Sequence, residues 1–423
     1  MSFDADVVVV GAGAAGIAAA RALLARGRTV RVLEAGGRLG GRAFTDTESL
    51  GAPFDAGASW IHVAERNPLT PIAQGMGFTL RDERRRVRDI LLVRGRPATA
   101  GERAAHDAAA EAWEAAAEAR DAAGGEDIPL AQAVPRGGPW DATMAYWFST
   151  IISGVEAERF SLRDYVATGL DGGNLQVREG FGTLVARLGE GLPVTLHAPV
   201  ARLRQDGAGL AAEGGWGVLR ARAAIVTVST GVLAAKGIQF EPELPDEVHA
   251  AIAGLPQGLL SKVVLRASGE GRLGLGPFSR LGRMVEGPGD HAMSWMLWPW
   301  GRDHAVGFLG GELAWQLAQE GPAAAEAFAR AELARYVGAA EVARSFAPGA
   351  VVTRWAEDPL FLGAYSHARV GHYGARAALR DAAPGDGRLR FAGEACHPRY
   401  AGTVGGAWES GEHAAAAIDA TLG

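Results

Sequence analysis

An α/β fold of two domains is what this sequence predicts, and three features predict it. Residues 6–34 read DVVVVGAGAAGIAAARALLARGRTVRVLE: a strand, a glycine-rich turn, an Ala-rich helix and a second strand. Residues 391–411 read FAGEACHPRYAGTVGGAWESG, a short strand and then a Gly-rich approach to a helix. The chain as a whole has 423 residues, 48% hydrophobic and 21% charged, enough for two sizeable cores.

The first segment is a complete βαβ unit of the Rossmann type. Four consecutive valines make a buried strand. Gly11 permits the tight turn, and Gly13 lets the N–H groups of the first helical turn, Ala14 and Ala15, approach a pyrophosphate. Gly16 lets the helix pack closely on the strand. Glu34 ends the second strand, 18 residues after Gly16. There its carboxylate can accept hydrogen bonds from the hydroxyls of an adenosine ribose and would repel a 2′-phosphate. The motif predicts a dinucleotide site without distinguishing a flavin from a nicotinamide. Residues 34–45, EAGGRLGGRAFT, add Ala35 and place Arg38 and Arg42 around Gly40 and Gly41. Two guanidiniums beside a Gly-rich bend suit a pyrophosphate; a basic surface loop is the alternative.

Further along, residues 101–123 are rich in Ala and Glu with scattered large apolar residues such as Trp113, which predicts a solvent-facing helix. The run from Arg81 to Arg88 is interleaved with Asp82, Glu83 and Asp89, so a solvated strand or loop is expected in preference to an anion patch. Residues 193–224 predict short strands around Gly-rich turns. Trp295, Trp298 and Trp300 in MSWMLWPW are expected in strand core, with a pocket wall as the alternative. Lys262 sits in the apolar run GLLSKVVLRA, where alternation puts it on the face of Leu260 and Val264; burial and snorkelling to solvent both fit the run itself.

The net charge of −6 gives no nucleic-acid footprint. The single cysteine, Cys396, excludes an intramolecular disulfide and fits a reducing compartment. No stretch of 18 apolar residues and no secretory leader is seen, so a cytoplasmic protein without a membrane is expected. No metal is expected.

Ordered motifs along almost the whole chain resemble the flavin-containing amine oxidases, a family of monoamine oxidases, polyamine oxidases and histone-lysine demethylases. E-x5-G-G-R at Glu34 to Arg42 is the first of them. GASWIH at residues 57–62, then Asn67 and Pro68, is similar to the family's GAxWIHG…NP, with Val63 in place of its usual Gly. FSLR at 160–163, AIVTVSTGVL at 224–233, IQFEPELP at 238–245 and GLLSKVVL at 258–265 follow. Trp355, Asp358, Pro359, Gly363, Ala364, Tyr365 and Ser366 resemble WxxDPxxxGxYS, and FAGEA…GTVxGAxxSG nearly closes the chain. The polyamine-oxidase branch is the nearest in pattern.

The resemblance implies a Rossmann-type FAD-binding domain of the glutathione-reductase-like kind at residues 1–67, 182–251 and 384–423. A mixed-sheet-plus-helices substrate domain at 68–181 and 252–383 would be interleaved with it. It implies that FAD is held by the residues above together with Gly57, Ala58, Ser59, Trp60, Val200, Trp355, Gly393, Glu394, Gly402, Thr403 and Val404. Glu394 would meet a ribityl hydroxyl. Thr403 and Val404 would bring backbone amides, at the N-terminus of the last helix, to the pyrimidine end of the flavin. Lys262 matches the lysine that holds a water against flavin N5, Tyr365 one of two aromatic walls beside the flavin, and His62 a residue that meets a distal ammonium. Thr403 stands where monoamine oxidases have the second tyrosine. Ala364 stands at the position that carries covalent flavin there, so a noncovalent flavin is expected. The tail helix that anchors monoamine oxidases is expected to be absent, the chain ending 12 residues after Gly411.

The activity implied is oxidation of an amine or polyamine C–N bond by hydride transfer to flavin N5, giving an aldehyde, an amine and, with molecular oxygen, hydrogen peroxide. An L-amino acid oxidase, which needs an arginine placed for a carboxylate, is one alternative. A noncatalytic flavin-binding structural or regulatory protein is another, disfavoured by the presence of Lys262 and Tyr365. Oligomeric state is not legible.

Overall fold

Two large sheets carry the fold of the computed structural model, which describes residues 3–84, 88–269, 271–287 and 289–423. The first has eight strands. Ala5–Val10 lies at its centre, parallel to Val30–Leu33 on one side and to Gly217–Val226 on the other. Val194–Thr195 and Leu389–Phe391 extend the parallel set, and Gly209–Gly214 and Arg202–Asp206 add an antiparallel wing ending in Gln239–Glu241. Strand geometry accounts for the run of valines. Val8 and Val10 point into one core and Val7 and Val9 into another, so both faces need apolar residues.

The helix Ala14–Ala25 and the final helix Val404–Leu422 cover one of those faces side by side. They approach so closely that a Cβ on Gly411 would lie 2.1 Å from the carbonyl oxygen of Ala15. The two ends of the sequence therefore meet on one sheet.

The second sheet has seven strands, in the order Phe346–Val352, Leu260–Ala267, His304–Gly310, Ser294–Leu297, Ser279–Arg283, Asp89–Val93 and Arg96–Pro97. It is mixed: only Ser279–Arg283 and Asp89–Val93 pair in parallel. Helices Gly311–Glu320 and Pro322–Val337 pack on the face that holds Val263, Leu265, Trp295 and Leu297. The opposite face carries Lys262 between Leu260 and Val264, the alternation that the sequence predicts, and joins a cluster with Phe308, Met296 and Trp60. Fold class and mixed architecture agree with the expectation.

The helix Ala100–Ala122 buries only Trp113 and Ala117 and opens with a capping box between Thr99 and Glu102, as its composition suggests. Two expectations need correction. Trp295 is strand core, but Trp298 and Trp300 lie beyond the strand end in left-handed conformation, Trp298 stacked on Phe346 and Trp300 edge-on to Phe278. The Arg81 run is not simply solvated. Arg81 and Asp82 end the strand Leu80–Asp82, whereas Glu83 turns inward to accept from the indole of Trp60 at 2.9 Å and to pair with Arg280. Arg85 and Arg86 lie outside the described residues.

Candidate active site

One cavity of about 1260 Å³ runs between the two sheets. It brings together Lys262, Tyr365 and His62 with Gly11, Gly13, Ala14, Ala15, Glu34, Ala35, Gly41, Arg42, Gly57, Ala58, Ser59, Trp60, Val200, Trp355, Gly393, Glu394, Gly402, Thr403 and Val404. Of the predicted residues, Gly16 and Arg38 do not line it. Gly16 works from behind, where a Cβ would stand 1.9 Å from the carbonyl oxygen of Gly11. Arg38 turns to its own loop, donating to the carbonyl of Gly41 at 2.7 Å with its guanidinium 4.0 Å from the centre of the Phe44 ring.

At one end the backbone is shaped for a dinucleotide. Gly11 has φ +103°, and a Cβ there would meet Thr227 Oγ1 at 2.6 Å. A Cβ on Gly13 would come into ordinary van der Waals contact with Gly41 at 3.9 Å, at the N-terminus of the helix Ala14–Ala25. Each oxygen of the Glu34 carboxylate accepts one amide, from Ala12 and from Gly36, both at 2.7 Å, and each keeps lone-pair capacity for a ribose hydroxyl. These residues fit the adenosine and pyrophosphate of a dinucleotide.

Glu394 is a structural hub. Its carboxylate accepts from Arg42 at 3.1 Å, from the Ser366 amide at 3.0 Å, from the Ser366 hydroxyl at 2.7 Å and from the Gly402 amide at 3.0 Å. Burial works to raise its pKa, but Arg42, Arg376 and the bonds from Ser366 prevail and hold it below the usual carboxylate range. Four protein donors thus already occupy the acceptor expected to meet a ribityl hydroxyl. Arg42 also donates to Gln257 Oε1 at 2.9 Å and to the Ala364 carbonyl at 2.8 Å, tying three distant segments together. Behind them Arg376 and Asp164 form a buried bidentate pair at 2.6 and 2.8 Å.

Lys262 is buried at 4% exposure. Its Nζ donates to the carbonyl oxygens of Asp55 and Gly57, both at 2.5 Å, and to Ser59 Oγ at 2.7 Å, which uses all three N–H bonds of an ammonium. Burial draws its pKa down to about 8, against the pull of the nearby Asp55 carboxylate. The Asp55 carboxyl is in turn pushed up by burial, opposed by its bond from Thr45 and by Lys262.

Tyr365 begins the short strand Tyr365–Ser366, which pairs with Gln257–Gly258. Alternation sends its ring to the cavity and the Ser366 hydroxyl to Glu394. Its OH donates to the Ile151 carbonyl at 3.3 Å, burial keeps the phenol protonated, and Gly402 lies against the ring. Ile151 closes the π-helix Tyr146–Ile151, which crosses the cavity and contributes Tyr146, Trp147 and Phe148 to its wall. His62 holds Asn174 Oδ1 at 2.8 Å through Nδ1, and burial keeps its pKa below the ordinary imidazole value, with that bond opposing. Val63 adopts φ +52°, a left-handed conformation that glycine takes more readily than a β-branched residue. Thr403 caps the final helix, accepting from the Gly406 amide at 2.9 Å, so the helix N-terminus does face the cavity.

Sequence reasoning missed Asp55, Asn174, Glu83, Gln257, Ser366 as a ligand of Glu394, and the Asp164–Arg376 pair. Asp55 stands two residues before Gly57 in the GASWIH segment and was within reach; the others become neighbours only by folding. Ala364 lines the cavity, whereas Cys396 lies in the core, its thiol pushed up to about 12 by burial. No helix among the described residues is long and apolar enough to cross a membrane.

A dinucleotide cradle that opens on a cavity with a buried lysine and an aromatic wall defines a cofactor-dependent oxidoreductase. The chain belongs to the flavin containing amine oxidoreductase family, whose profile matches residues 14–419, and it is a flavin-dependent enzyme acting on amines. It is 30% identical to polyamine oxidase 5 of Oryza sativa subsp. japonica over 96% of this chain and 86% of that protein. It is 31% identical to lysine-specific histone demethylase 1 homolog 2 of the same plant, over 98% of this chain but 57% of that longer protein. Among solved structures, putrescine oxidase bound to putrescine superposes with a TM-score of 0.78 at 22% identity, over 98% of this chain and 99% of that one. Cyclohexylamine oxidase from Brevibacterium oxydans IH-35A gives 0.76 at 23% identity, over 99% of each.

Proposed function

We propose that the protein binds FAD noncovalently and oxidises the carbon beside the nitrogen of an amine or polyamine, passing the electrons on to molecular oxygen. The observation that carries this reading is that Lys262 and Tyr365 line the same cavity as the dinucleotide cradle. A bound FAD would supply the acceptor for the hydride removed from the substrate. Release of the resulting imine and its hydrolysis give an aldehyde and an amine, and oxygen leaves as hydrogen peroxide.

The residues have separate tasks. The helix N-terminus at Gly13, Ala14 and Ala15 favours the pyrophosphate, and Glu34 the ribose. Thr403 and Val404, at the N-terminus of the final helix, would stabilise the electron-rich end of a bound isoalloxazine. Ser59 accepts from Lys262 and keeps its own proton, so a water is held either by this hydroxyl or by Nζ in exchange for one of its three acceptors. Tyr365 presents a π-face that orients the amine. His62, neutral and with Nδ1 committed to Asn174, offers Nε2 as an acceptor for an N–H of the substrate. A cytoplasmic location fits the single buried cysteine.

The L-amino acid oxidase reading is weakened by the cavity's arginines. Four of the five that line it, Arg42, Arg280, Arg283 and Arg376, each pair with a carboxylate of the protein that a substrate carboxylate would have to displace, while the fifth, Arg103, donates to the carbonyl oxygen of Asp89. The test is anaerobic bleaching of the bound flavin by monoamines, polyamines, acetylated polyamines and L-amino acids. Fast bleaching by amines supports the proposal. Bleaching by amino acids alone replaces it with the alternative, and no bleaching removes it.

A further inference from the structure

The floor of the cavity contains a ruler. In the second sheet Lys262 pairs directly with Phe308, and Phe308 with Ser294, so the three side chains stand in a row on one face. Two strand spacings of ~4.8 Å put Ser294 roughly 10 Å from Lys262, close to the distance between the two terminal heteroatoms of an extended 1,6-disubstituted hexane. Met296, two residues along the same strand, shares this face. At the far end of the row the π-helix hangs Tyr146 over Ser294, with the two hydroxyl oxygens 3.3 Å apart. That is long for an O–H···O bond, and one shared proton leaves lone pairs on both oxygens and one further O–H unspent. Both residues line the cavity.

The charge at this end is already neutralised within the protein. Arg283 is held by Asp290 at 2.7 and 2.8 Å and by Glu332 at 2.9 Å, and Glu332 also accepts from Arg335 at 2.6 Å. Neither carboxylate is left for an ammonium. Burial keeps the Tyr146 phenol protonated. The cavity's exposed carboxylates are Asp107, Glu114 and Glu118, on the solvent-facing helix, and Asp89, two strands away from Ser294 in the same sheet.

We infer that Tyr146 and Ser294 form a specificity subsite for an uncharged hydrogen-bonding group on the substrate, a hydroxyl or an acylated nitrogen, about one six-carbon chain away from the oxidised carbon. A second ammonium placed there would lose its hydration to two neutral hydroxyls beside a guanidinium, which is unfavourable. Further cationic groups of a polyamine would extend away from this end. The inference rests on the amine-oxidase reading and narrows its substrate.

The test compares the holoenzyme's rates of anaerobic flavin reduction with hexylamine, 6-amino-1-hexanol, N-acetyl-1,6-diaminohexane and 1,6-diaminohexane, each followed to saturation. The hydroxyl-tailed or acetyl-tailed amine is expected to exceed the diamine at least tenfold in reduction rate over apparent Kd, and which of the two leads names the group. Tyr146→Phe is expected to erase the advantage over hexylamine through Kd. Ser294→Asp is expected to reverse the order in favour of the diamine; should it fail to fold, Tyr146→Phe still decides. A diamine preferred by the unmodified enzyme, or an order that Tyr146→Phe leaves intact, overturns the subsite alone. Reduction by none of the four overturns the subsite, and the amine-oxidase reading falls with it only when the wider amine panel also leaves the flavin oxidised.

Discussion

The ammonium of Lys262 donates to the carbonyl oxygen of Gly57 at 2.5 Å, so an inner strand of one sheet is bonded directly to the loop that lines the cofactor end of the cavity. A lysine so placed senses both the cofactor and the state of its own three acceptors.

Lys262→Met is therefore expected to slow flavin reduction or reoxidation by at least about tenfold, within the range of a lost positioned proton-bearing group. Burial has drawn the pKa down to about 8, so Nζ is cationic below that pH and neutral above it. The affected half-reaction should show a limb near pH 8 that the variant lacks. Stopped-flow traces across pH 6.5–9.5 check this; wild-type rates in both half-reactions would remove Lys262 from the mechanism.

Gly16→Ala is expected to yield apoprotein. The added Cβ would fall 1.9 Å from the Gly11 carbonyl oxygen, and the turn that bears the pyrophosphate site would have to move. Absorbance at flavin wavelengths in the purified variant, against Gly51→Ala as a control where a Cβ has open space but φ is +67°, measures the loss. A full complement of flavin in the Gly16 variant contradicts the close-packing argument.

Flavin is expected in the supernatant after acid precipitation. Ala364 offers no sulfur, and the Cys396 thiol, with its pKa pushed up to about 12, stays neutral inside the core and is a poor nucleophile. A yellow pellet would show a covalent bond elsewhere.

Breaking the Asp164–Arg376 pair from one side is expected to cost about 3–5 kcal/mol, because a buried charge is stranded. Arg376→Met, followed by urea unfolding of the flavin-loaded protein, should show this together with weaker flavin retention, since Arg376 also donates to the Ser366 hydroxyl that holds Glu394. The paired variant Asp164→Leu/Arg376→Met should recover part of the loss.

Val63→Gly is expected to raise stability by up to about 1 kcal/mol, since a β-branched residue at φ +52° is strained where glycine is not. Thermal melts of the two proteins decide it; a lower melting temperature would mean that the Val63 side chain packs well enough to outweigh the strain.

Most of the cofactor end was legible because its signals are local. Gly11, Gly13, Gly16 and Glu34 lie within one βαβ unit, and the tightest contact among them, Gly16 against the Gly11 carbonyl, is made inside it. Lys262 was legible as a charge in an apolar strand, but its acceptors were not, because Asp55, Gly57 and Ser59 are some two hundred positions away in sequence. The inward turn of Glu83 was misread for a similar reason: its partners, Trp60 and Arg280, belong to other strands. Trp298 and Trp300 departed from the strand pattern because the chain turns at Pro299, and periodicity carries no warning of where a strand stops.

The meeting of the first and last helices has a consequence for biosynthesis. Residues 11–16 are made some 380 positions before Glu394 and the helix beginning at Val404. A nascent chain carries half a cradle throughout that interval, and the cradle is complete only once the later helix has packed beside the earlier one.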